Sequence, residues 1–138
     1  MTSDVRKIPI DPAAQALELA KLFNDVSFAI DEYRLSEQDP PLSKSEKSRL
    51  KNVAQGMEDS AHYLTAEAIG ATLEAIQPQL DNIKLITIQA KTQLEVLKDA
   101  EKVIVVATLA LNLGTAMAAG NPLSIIAAAD ELAETLTA

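Results

Sequence analysis

Between residues 12 and 35 the side chains Ala16, Leu19, Phe23, Val26, Ile30 and Tyr33 follow one another at steps of 3 and 4. That spacing puts all six on one face of an α-helix, in the manner of a knobs-into-holes seam; a half-buried strand would alternate at every second residue. Asp11 and Pro12 supply a cap and a first-turn residue for its start, and Glu18, Lys21, Asp25, Asp31 and Glu32 charge the opposite face. The proline pair in SEQDPPLS, residues 36–43, ends this helix and reverses the chain. Ser43, with Glu46 three places on, forms a capping box for a second helix, whose stripe reads Leu50, Val53, Met57, Ala61, Leu64, Ala68, Ala71 and Ala75. Another seam, Ile69, Leu73, Ile76, Leu80, Ile83, Thr87, Ala90, Leu94 and Leu97, keeps its phase straight through Pro78. An interior proline costs about 3 kcal/mol, so the chain kinks or turns back there. A tight reversal at Gln77 and Pro78 is expected, because a helix unbroken to residue 119 leaves little chain to pack against it.

Residues 103–129, VIVVATLALNLGTAMAAGNPLSIIAAA, carry no formal charge over 27 positions, although 23% of the chain is charged. A segment this apolar is either covered on all sides by a bundle or taken up by a partner or a bilayer. Gly120, Asn121 and Pro122 interrupt it: glycine suits a left-handed residue closing one helix, while asparagine and proline suit the cap and first turn of the next. The whole pattern predicts an all-α fold, an elongated antiparallel four-helix bundle with helices over about 12–35, 44–76, 78–119 and 122–137. It forms one domain over 1–138, with residues 1–10 an extended N-terminal arm in which Ile8 and Ile10 flank Pro9. The third helix is longer than the first, so its apolar half is expected to project past the bundle with the fourth folded back along it.

Composition narrows the chemistry. At 138 residues and 48% apolar content the chain can build a core, and with two Phe, two Tyr and no Trp that core must be aliphatic and rich in alanine. A formal charge of −8 argues against binding nucleic acid, where lysine and arginine must neutralise phosphates. It also disfavours an electrostatic anchor on anionic lipid. Without cysteine there is neither disulfide nor thiolate site, and residues 1–12 lack the apolar stretch of a secretory signal. The expected location is the cytoplasm, or outside it by a route that needs no N-terminal signal peptide.

No catalytic, cofactor-binding or metal site is expected. His62 is the sole histidine; Asp59 stands three residues before it, the spacing used in helical di-metal centres, but a second such pair is missing and a solvated histidine is the simpler reading. The acidic groups Glu32, Glu37, Asp39 and Asp130, Glu131, Glu134 read as solvated faces. The four glycines are scattered and form no phosphate loop. What stands out is the apolar hairpin. Its candidate interaction or insertion residues are Val105, Val106, Leu109, Asn112, Leu113, Gly114 and Met117, with Asn112 expected to fix register in a helical seam. Gly114 and Ala118 make a small-xxx-small pair that lets helices approach closely.

These residues point to a non-catalytic, non-enzymatic helical interaction or self-assembly module that uses the 103–129 hairpin. Its expected partner is a protein, most simply a second copy in a homo-oligomer, and no cofactor is implied. The alternative is a membrane-active, pore-forming-like protein, soluble when bundled, that inserts the same hairpin. The 17 residues 103–119 reach only about 26 Å as a helix, short of a hydrocarbon core of roughly 30 Å, which favours a leaflet-deep hairpin over two spanning helices.

Overall fold

The computed structural model describes residues 11–137; the arm expected over 1–10 lies outside them. Among the described residues there are six α-helices and no strand: α1 (Pro12–Leu35), α2 (Lys44–His62), α3 (Ala66–Ala75), α4 (Gln77–Val96), α5 (Ala100–Ala119) and α6 (Pro122–Thr137). The all-α class holds. The expected four helices become six, because the second and third of them are each broken.

The first break lies at Tyr63–Thr65 and settles a competition between two apolar stripes. A helix continuous from residue 44 would keep Ala68, Ala71 and Ala75 on its inner face; all three are exposed. The chain instead stops at His62 and restarts with Thr65 as cap, its hydroxyl accepting from the Ala68 amide at 3.1 Å. The restart rotates the larger side chains Ile69 and Leu73 inward, where both are fully buried. Burying a leucine or isoleucine gains roughly 1.5–3 kcal/mol, well above what an alanine offers, so losing a helical turn is offset. At Ile76 a single residue at φ −102, ψ 12 separates α3 from α4, and Pro78 sits in the first turn of α4, where its missing N–H costs nothing. The tight reversal expected at Gln77 and Pro78 is thus replaced by a turn in stages: the break at 63–65, the short α3, and the bend at Ile76.

The second break was not expected. Leu97 and Asp99 are extended, and the Asp99 carboxylate accepts from the Glu101 amide at 3.0 Å to start α5. The apolar half of the expected 78–119 helix therefore doubles back into the bundle; it does not project beyond it.

Long-range hydrogen bonds fix the directions. Ser27 Oγ of α1 donates to the Ala54 carbonyl of α2 at 2.8 Å, and the short 36–43 turn makes these helices antiparallel. Lys84 of α4 donates to Gln15 and, at 3.1 Å, to Glu18, while Tyr33 Oη donates to the Lys98 carbonyl at 3.2 Å, so α4 runs parallel to α1. Gly56 of α2 meets Leu111 and Gly114 of α5 meets Met57, which sets α5 parallel to α2. Gln93 Nε2 donates to the Leu136 carbonyl at 2.9 Å, bringing the end of α6 beside the end of α4. Helices α1, α4 and α6 run one way and α2 and α5 the other. Short α3 sits at the end where α1 begins and α5 stops: Gly70 faces Pro12, and Thr72 Oγ1 donates to the Gly120 carbonyl at 3.1 Å.

The core is aliphatic, as composition implied, with Phe23 its one fully buried aromatic among the described residues. Gly56 permits the closest approach, since a Cβ there would lie 2.8 Å from Leu111 Cδ1. Gly120 closes α5 in the left-handed conformation at φ 76, and Asn121 Oδ1 accepts from the Ser124 amide at 3.2 Å to open α6, as the Gly-Asn-Pro break anticipated.

Candidate interaction surface

Helix α5 packs against α2, α6, α4 and α1. That surrounds most of its circumference and accounts for its composition: Val103, Ile104, Val106, Ala107, Ala110, Leu113, Gly114 and Met117 are buried. The stripe left facing solvent runs through Glu101, Val105, Asn112 and Thr115, with Thr108 half-buried, so polar residues that interrupt the run are those looking outward. Of the residues expected to form an interaction site, Val106, Leu113, Gly114 and Met117 are inside the bundle, Leu109 is half-buried, and Val105 and Asn112 are exposed. They do not form one surface. Asn112, expected to fix register in a helical seam, faces solvent in the single chain.

An open groove of about 910 Å³ with an apolar floor lies elsewhere, between the second half of α1 and the end of α4. Its existence follows from the parallel setting of the two helices and from the size of the residues between them. Ala29 is buried but small, so buried Leu94 and half-buried Leu97 form a floor that no larger side chain from α1 fills. Three residues stand at the edges with most of their surface in water: Phe28 at 64% exposure, Leu35 at 74% and Val96 at 68%. Phe28 and Leu35 are seven apart and so share a face of α1. That face is not the one carried by Phe23 and Ile30, and Phe28 is out of phase with the seam. This off-phase aromatic was the one sequence signal for the site. The groove could not be read from the sequence because it requires α4 to lie parallel to α1.

Tyr33 anchors the end of the groove through its bond to Lys98. Burial, then the nearby carboxylates of Glu46 and Asp99, hold its phenol above the ordinary tyrosine range, so it stays a neutral donor. The rim is acidic: Asp31, Glu32 and Glu95 stand against Lys98. Asp31 is engaged by Arg34 at 3.1 Å, whereas among the described residues no ion pair involves Glu32 or Glu95. Leu97 also borders a smaller cleft of about 500 Å³, walled by Val105, Val106 and Leu136.

The surface carries little that suggests bond chemistry. His62 is exposed beside Glu58 and Asn24 in a shallow depression, and among the described residues no three acidic or histidine side chains are grouped to hold a metal. Compared with models of known families, with curated proteins and with solved structures, the chain matches none.

Proposed function

We propose that this protein is a non-catalytic helical interaction module whose binding surface is the α1–α4 groove. The observation that carries the reading is the grouping of Phe28, Leu35 and Val96, each more than half exposed, around one apolar floor. Isolated exposed leucines are ordinary on soluble proteins; several converging on a groove mark a place where another surface sits. The 103–129 hairpin serves this reading as core, with α5 as the wall on which the other helices are assembled.

A photoreactive benzophenone amino acid placed at position 28 and expressed in the native cells tests it. A discrete cross-linked species is expected there and not from the same probe at exposed Lys51 on α2. Equal smears from both positions would overturn the assignment of the surface. A species of twice the chain mass identifies a second copy, and any other mass a different protein.

A second reading, insertion of the α5–α6 hairpin into a bilayer, has one observation in its favour. Leu123, at the turn between the two helices, is 80% exposed. By length and composition α5 alone among the described helices is able to cross a membrane, yet half of that stretch is buried in the bundle, so insertion requires α5 to leave its packing. Flotation with liposomes that is lost in Leu123→Asp would establish this second reading; no flotation of the parent protein disposes of it.

A further inference from the structure

We infer that the occupant of the α1–α4 groove is a cationic amphipathic helix supplied by a different chain, an inference that rests on the groove being an interaction surface. The apolar edge from Phe28 to Leu35 extends seven residues along α1, about two turns or roughly 10 Å. A trough between two helices at that scale is filled by the i, i+3/i+4, i+7 side chains of a third helix. Its floor, Ala29, Leu94 and Leu97, offers apolar contact. Among the described residues there is no strand whose edge an extended peptide could join.

Charge selects among helices. Glu32 and Glu95 flank the trough from opposite walls, both are exposed, and neither is ion-paired among the described residues. Among the described residues Lys98 is the single cation lining the groove. A second copy docking by the same face would set carboxylates against carboxylates between two chains of formal charge −8. An anionic lipid surface meets the same repulsion. A helix with lysine or arginine flanking an apolar stripe meets neither; it turns the two unpaired carboxylates into cross-interface pairs and is steered to the acidic rim.

The test is fluorescence anisotropy of the full chain with three labelled helical peptides of about 18 residues: an amphipathic Leu/Lys helix, its Leu/Glu counterpart, and a Leu/Lys peptide of the same composition scrambled to remove the apolar face. The amphipathic Leu/Lys helix is expected to bind, and the other two at least about tenfold more weakly. Phe28→Ser with Leu35→Ser, and separately Glu32→Lys with Glu95→Lys, are each expected to weaken it by about tenfold or more. Glu67→Lys with Glu74→Lys makes the same change in net charge on exposed positions of α3, at the other end of the bundle, and is expected to cost less than about threefold. Equal losses in the groove and α3 variants would reduce the binding to general attraction by an acidic protein and overturn the inference, as would equal binding of the Leu/Glu helix or no binding at all. Circular dichroism and thermal melting confirm that each variant is folded, all six positions being exposed. A benzophenone adduct at position 28 in cells together with no peptide binding would leave the interaction surface standing and remove only the cationic helix.

Discussion

Phe23 and Phe28 are five positions apart on one helix, one fully buried and the other 64% exposed. Truncation of Phe23 to alanine is expected to cost about 3–5 kcal/mol in urea denaturation, since it leaves a cavity among close-packed neighbours. Phe28→Ala is expected to stay within about 0.5 kcal/mol. A large loss at position 28 would mean that its ring is packed in the monomer and is no part of a docking surface. Gly120 presents a different residue-scale constraint: at φ 76, any Cβ is strained and would also sit 3.1 Å from Thr72 Oγ1. Gly120→Ala is expected to destabilise by about 1–2 kcal/mol, read in the same denaturation experiment. Tyr33 ties stability to pH. Its pKa in the folded chain is raised above the 10.0 of a free tyrosine, so the contribution is complete below pH 10 and is lost as pH rises through the raised value. Tyr33→Phe is expected to flatten that alkaline limb in a series of thermal melts, at the expense of the bond to Lys98.

At the scale of elements, caps decide where helices begin more than the hydrophobic period does. Asp99→Ala removes the acceptor for the Glu101 amide and is expected to cost about 0.5–2 kcal/mol, measured by urea denaturation. The capping box at Ser43 and Glu46 and the break at Gly120–Pro122 were legible because their residues have few other uses. The break at 97–99 was not: it contains neither glycine nor proline, and the apolar positions Leu94, Leu97, Ala100 and Ile104 run across it at helical spacing. The break at 63–65 was hidden by two overlapping stripes, and side-chain volume chose between them. The core face of α1 was read residue by residue, since Ala16, Leu19, Phe23, Val26, Ile30 and Tyr33 are all buried. The groove beside it depends on which helix becomes its neighbour, and periodicity within a helix carries no information about that.

The whole molecule absorbs the apolar run that dominated the sequence. The helices around α5 cover Leu113 completely and leave Leu109 half-covered. Leu113→Glu is expected to unfold the chain, because a carboxylate there has no partner and no route to water. Leu109→Glu is expected to leave a folded protein with an unchanged mass by light scattering. A halving of that mass would restore a dimer built on α5, as the sequence alone suggested.

The ties between α1 and α4 join residues 65 to 69 positions apart, Tyr33 to Lys98 and Gln15 to Lys84. A ribosome delivers α1 before α4 and, at about 5–20 residues per second, adds the matching side roughly 3–14 s later. During that interval α2 can cover one flank of α1 while Ala29 and Tyr33 wait for partners still being translated. The nascent chain therefore passes through a window in which α1 is complete but covered on one flank alone, and chaperone occupancy on stalled chains should peak before residue 96 emerges and fall after it.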